Sequence, residues 1–228
     1  MNTNKLKSTT PFTRVLLLAL ALTLVLAVSI TPAVHAGETI EGHPDAVVEE
    51  DEVIEDDLFI SGEKVEMAGT VEGDLFAAGQ EVIISGEVHG TVYAAAQEVT
   101  ISGTVDGNVL LGGYSLVLED GGSIGRNVYY GGFSFEALPE STIGRSIYGG
   151  GYQLILDGSV GRDVTAGLGA LQISGPVGGD IKAEVGESTT NEDYMFDYWS
   201  PGMPSVEIIE SGYDVDESQV EGEVNIKV

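Results

Sequence analysis

Apolar residues recur along this chain at a fixed spacing of 17. Three consecutive segments, EKVEMAGTVEGDLFAAG, QEVIISGEVHGTVYAAA and QEVTISGTVDGNVLLGG, fill residues 63–113. They place Val65, Val82 and Val99 in one column, with Met67, Ile84 and Ile101 two positions later. Val71, Val88 and Val105 follow, then Leu75, Val92 and Val109, then Ala77, Ala94 and Leu111. Apolar positions two apart indicate strands with one buried face. Gly69, Gly86 and Gly103, and then Gly73, Gly90 and Gly107, recur between them and suit backbone corners. Three short strands and three corners in one repeat make a turn of a parallel β-helix, because no helical crossover fits so short a unit.

The columns run on beyond these copies. One reads Leu58, Leu75, Val92, Val109, Val128, Ile147, Val164, Ile181, and another Val65, Val82, Val99, Leu116, Phe135, Leu154, Leu171. Two of the steps are 19 rather than 17, and both extra pairs fall at one corner, around residues 119–123 and 138–142. The expected fold is therefore all-β: a single-stranded parallel β-helix, or solenoid, of 17–19-residue rungs over residues 53–186. Eight rungs give a rod roughly 35–40 Å long. Residues 37–52 read as an acidic leader that merges into the first rung. Residues 187–205, acidic and aromatic, read as a linker or a cap over the open end, and residues 206–228 as a C-terminal rung.

Residues 1–36 stand apart. Lys5, Lys7 and Arg14 precede an apolar run over 15–30, and Val34, His35 and Ala36 end it. This pattern is that of a secretory signal peptide cleaved after Ala36, or of an uncleaved N-terminal anchor. Either reading sends the remainder out of the cytoplasm, to an extracytoplasmic or cell-surface location. The whole chain carries a net charge of −28. Residues 1–36 hold three of the nine basic residues and none of the 37 acidic ones, so the remainder carries −31. Such a surface repels nucleic acid and favours solubility. There is no cysteine, so neither disulfide nor thiolate chemistry is available.

Candidate chemistry is sparse. A polar column, Asp57, Asp74, Thr91, Asn108, Asn127, Ser146, Asp163, Asp180, precedes a buried one and reads as caps for nearby backbone groups. The column after the buried one reads Phe59, Phe76, Tyr93, Leu110, Tyr129, Tyr148 and should face outward. It is a stacked ladder in its own right, and also a candidate contact stripe through Phe76, Tyr93, Tyr129 and Tyr148. Arg126, Arg145 and Arg162 form a second ladder, with Asp163 as a candidate carboxylate partner or an anionic patch on a neighbouring subunit as the alternative. Only His43 and His89 follow residues 1–36, too few for a three-histidine zinc centre. No calcium-loop spacing is present. No metal, cofactor or catalytic residue is expected, and short corners leave no deep cleft for an enzyme.

The repeated units Ile84-Ser85-Gly86-Glu87-Val88-His89-Gly90 and Ile101-Ser102-Gly103-Thr104-Val105-Asp106-Gly107-Asn108-Val109 resemble those of the bactofilin family of polymer-forming bacterial cytoskeletal proteins. The resemblance covers about residues 53–185. It implies a right-handed β-helix and nucleotide-free, end-to-end polymerisation into an envelope scaffold. The export signal and the acidic surface depart from the family. The expected function is an exported, non-enzymatic scaffold of the cell envelope that is its own partner. Self-association would use the rung ends at Val53 and Leu58 and at Val224 and Ile226, with the arginine ladder as a further contact. The alternative is a monomeric surface module that binds polysaccharide or an envelope protein.

Overall fold

In the computed structural model the described residues are 37–42, 44–186, 204 and 206–228. Residues 1–36, on which the expected signal segment or anchor falls, His43 and nearly all of the 187–205 segment lie outside them. The described chain is an all-β parallel solenoid of about nine turns. Each turn has three strands, as in Lys64–Met67, Thr70–Val71 and Leu75–Ala78. In the middle of the molecule the third strand runs unbroken into the first strand of the next turn, giving ten-residue strands at Val92–Ile101, Val109–Leu118, Val128–Ala137 and Ile147–Leu156. First and third strands thereby join one sheet of 15 strands among the described residues, and the two-residue second strands form a separate sheet of seven.

Register follows the columns of the sequence. Val92 pairs with Val109, Val109 with Val128, and Val128 with Ile147. Every inward column therefore stacks like on like, and alternate side chains fill one continuous core in which Val82, Ile84, Val88, Val92, Leu116, Phe135 and Ile147 are fully buried. The corners are tight. A Cβ on Gly103 would run into the Gly86 carbonyl oxygen one turn away, so glycine is required there.

The polar column works as a ladder, though its partners lie one turn away rather than nearby in sequence. Asp57 Oδ1 accepts from Asp74 N–H at 2.8 Å, Asp74 Oδ1 from Thr91 N–H at 2.7 Å, and Asn127 Oδ1 from Ser146 N–H at 3.3 Å. Asp163 Oδ1 accepts from Asp180 N–H at 3.0 Å, and Asp180 Oδ1 from Glu223 N–H at 3.1 Å. Each side chain thus satisfies a corner amide that the strand ladder leaves open.

The solenoid begins before residue 53. Glu38–Glu41 pairs with Leu58–Ser61, and Asp45–Val48 pairs with Lys64–Met67, so residues expected to form a solvated leader supply the first turn. Ala46 and Val48 belong to the core. An acidic corner hides this turn from the periodicity. Glu52 N–H bonds Glu49 O at 3.0 Å, a four-residue turn that recurs as Gly122 N–H to Glu119 O and Ser141 N–H to Leu138 O. The two expected bulges are therefore three. In two of them the third turn residue has positive φ: Gly121 at 78° and Glu140 at 62°.

The last turn also differs from expectation. Val206 and Ile208 form no strand. The first strand of this turn is Gly212–Val215, paired with Ala170–Ile173, and the third is Val224–Lys227, paired with residues 181–184. Residues 207–209 instead cross the outer side of the solenoid. There Gln153, fully buried, donates from Nε2 to Glu207 O at 2.7 Å and accepts Ile209 N–H on Oε1 at 3.1 Å.

Candidate functional site

The outward aromatic column is present as expected. Phe59, Tyr93, Tyr129 and Tyr148 are exposed and Phe76 is half-buried. Phe59 stacks on Phe76 at 4.5 Å and Phe76 on Tyr93 at 4.6 Å, with rings within 5° of parallel. Leu110 interrupts the column, which resumes as Tyr129 on Tyr148 at 5.4 Å. The register forces this stacking, because equal positions of adjacent turns sit directly above one another. Beside the column lies a strip of small residues, including Ser61, Ala78, Ala95 and Gly112. Column and strip together form an open groove of about 760 Å³.

The groove is mostly apolar. Tyr130 lies in its wall with its body in the core, 5.1 Å from Phe135. Its hydroxyl has no hydrogen-bond partner, and burial pushes its pKa up. Among the described residues, no group of three or more His, Asp or Glu side chains is placed to hold a metal ion. The stacked rings also limit what the groove can bind. A planar ligand packs best on a ring face, and here neighbouring rings occupy most faces and present their edges outward.

A second aromatic ladder escaped the sequence reading. Tyr114, Phe133 and Tyr152 stack at 4.8 and 5.0 Å on a different corner. The signal was present in the triplets GGYSL, GGFSF and GGYQL, spaced by 19. The Tyr152 hydroxyl donates to Ile209 O at 3.3 Å, so this ladder helps seat the crossing segment. Under that segment, burial raises the pKa of Glu136, and the charges of Asp157 and Glu207 raise it further.

The candidate contact residues divide. Val53 lies on a terminal strand of the seven-stranded sheet and is exposed. Val224 and Ile226 lie on the last strand of the large sheet and are half-buried. Leu58 is not at an end. Its strand is paired on both sides, with Glu38–Glu41 and with Leu75–Ala78, and the side chain is fully buried. The end strand at this position is Glu38–Glu41, because the solenoid starts one turn early.

Arg126, Arg145 and Arg162 are exposed on one corner. The expected pairing with Asp163 does not form; Asp163 Oδ1 accepts from the Asp180 amide. The lysines behave differently. Lys64 pairs with Glu66 at 2.6 Å, Lys182 with Asp180 at 3.0 Å and Lys227 with Glu184 at 3.5 Å. Among the described residues, none of the three guanidiniums makes an ion pair.

Comparison with protein-family models, with curated proteins and with solved structures finds no match.

Proposed function

We propose that this chain is an exported, non-enzymatic scaffold of the cell envelope that assembles end to end into a continuous β-solenoid. The observation that carries this reading is the fit between its two open edges. Among the described residues, Glu38–Glu41, Asp45–Val48 and residues 53–54 are paired on one side only, and so are Gly212–Val215 and Val224–Lys227. Extending the parallel register by one turn sets Ile226 against Ile40 of the next copy, Val215 against Val48 and Val220 against Ile54. The exposed Tyr213 falls opposite the small Ala46. Lys227 meets Glu41, which favours pairing, while Asp216 falls opposite Glu49 and Glu221 opposite Glu55, which opposes it at two corners. Unpaired edges are templates for another chain; on the first turn Pro44 sits at a corner and Glu38 stands in the inward Leu58 column, opposite Val224 of the next copy. Cleavage after Ala36 would leave Glu38–Glu41 next to the new N-terminus. A bactofilin-like role belongs to this same proposal and rests on the repeat motif alone.

Negative-stain electron microscopy of the full-length protein across concentration and salt tests it. Filaments one solenoid wide, lost in Ile226→Glu, are expected. Uniform short rods at every concentration and salt would sink the reading. The aromatic groove supports the second reading, a surface module for polysaccharide or an envelope protein, although closed ring faces count against sugar stacking. That reading expects binding to isolated envelope polysaccharide to fall when Tyr93, Tyr129 and Tyr148 are changed to Ala.

A further inference from the structure

The corner that carries the arginine ladder changes sign along its length. Its columns hold Glu55, Glu72 and Asp106 in the first turns and Arg126, Arg145 and Arg162 in the next three, all exposed. His89, between Glu72 and Asp106, lies 3.3 Å from the Glu72 carboxylate. The corner is a stripe with carboxylates in three of its first four turns and arginines in the next three, on a rod that is otherwise strongly acidic.

We propose that two copies of this chain pair side by side and antiparallel through this stripe. The argument is charge complementarity under two-fold symmetry. An axis between the turns of Asp106 and Arg126 sets Arg126 against Asp106 of the second copy and Arg162 against its Glu72. Arg145 then faces the turn of Glu87 and His89. The same axis repeats every contact in reverse, as an isologous interface requires. Parallel side-by-side packing would set acid on acid and arginine on arginine. Every lysine of the solenoid has a carboxylate on its own chain, and among the described residues the three arginines do not. Their planar, forked donors suit carboxylates supplied from outside. Beside the stripe, the second-strand face carries the short side chains Thr70, Thr104, Ser123, Thr142 and Ser159, interrupted by Glu87, which lets two rods approach closely over most of its length. Two such rods repel over most of their surface, so this stripe also selects the orientation of approach. The inference stands apart from end-to-end stacking, which uses other residues.

Sedimentation velocity of the full-length protein is the test. Dimers at low salt should dissociate as salt screens the stripe. The acidic variant R126E/R145E/R162E and the basic variant E72R/D106R, which keeps Glu55 at the far end, should each raise the dimer dissociation constant at least about tenfold. These side chains lie on the surface, and circular dichroism checks that both variants stay folded. An equimolar mixture of the two should recover the dimer. Because the chain has no cysteine, a single introduced thiol reports the orientation. The two copies of residue 106 would lie about one rung apart, and those of residue 55 about seven rungs, or ~34 Å. Asp106→Cys should therefore cross-link to itself and Glu55→Cys should not. Unchanged masses in both variants, or equal cross-linking at the two positions, would overturn the proposal. Loss of end stacking is separable, because Ile226→Glu leaves the stripe intact and the stripe variants leave the edges intact.

Discussion

The middle turns of the solenoid and its last turn follow one template and differ in what stands on either side of them. In the middle, ten-residue strands are paired on both edges, and Val109, Leu116, Phe135 and Ile147 are fully buried. In the last turn, Gly212–Val215 and Val224–Lys227 are paired on one edge only. Tyr213, in the Phe135 column, is 55% exposed, and Val215, Val220, Val224 and Ile226 are only partly buried. The corner caps differ too: Asn108, Asn127 and Ser146 are neutral, whereas Asp180 is charged. Stability in a solenoid is close to a sum of turn and neighbour terms. An end turn lacks one neighbour, so the same inward residue contributes less there.

The largest expected effect comes from one column changed at two heights. Phe135→Ala should destabilise the protein by about 3–5 kcal/mol, because it removes a fully buried ring and leaves a cavity. Tyr213→Ala, in the same column, should change stability by less than about 1 kcal/mol. Denaturant titration of both variants checks this, and equal losses would break the comparison. A middle-sized effect is expected at Gln153, which holds the crossing segment to the solenoid. Gln153→Ala leaves Glu207 O and Ile209 N–H without their partner, at a cost of about 1–3 kcal/mol. Hydrogen exchange should quicken at residues 207–215 and stay unchanged at 109–137. Uniform quickening would mean that the segment is part of the core rather than a strap on it.

The fold was legible because register and periodicity are the same thing in a solenoid. Val92, Val109 and Val128 are 17 and 19 residues apart in sequence and lie one rung apart in space. The first turn was less legible, since the acidic corner at 49–52 reads as solvated leader unless matched to its counterparts at 119–122 and 138–141. Val206 and Ile208 misled because apolar spacing carries no information on which surface a segment reaches. The outer face of Gln153, rather than the next rung, takes that segment. The aromatic column was readable residue by residue, but its stacked faces, which limit its use as a platform, are a property of the register. The arginine column was readable as well. That its guanidiniums lack carboxylate partners among the described residues is a matter of side-chain direction, which spacing cannot report.

The smallest expected effect separates the two regions by pH. Asp180 is held below its ordinary pKa, first by the Glu223 N–H and then by Lys182. Its stabilising contribution is therefore present above the ordinary carboxylate range, about pH 4, and is lost as pH falls below it. Glu136 is shifted the other way, by burial and then by the charges of Asp157 and Glu207. Protonation of that side chain favours the folded state, so the crossing segment should tighten in mild acid and loosen as pH rises through the raised value. Amide protection, corrected for intrinsic exchange, should consequently fall at Glu223 and rise at Ile209 between pH 6 and about pH 3. Protection at Val128, whose corner is capped by the neutral Asn108 and Asn127, should stay level. Asp180→Asn keeps an acceptor for the Glu223 amide and removes the charge, so it should abolish the fall at Glu223 and leave the rise at Ile209. A fall that persisted in that variant would assign the acid sensitivity of the last turn to its remaining carboxylates instead of this cap.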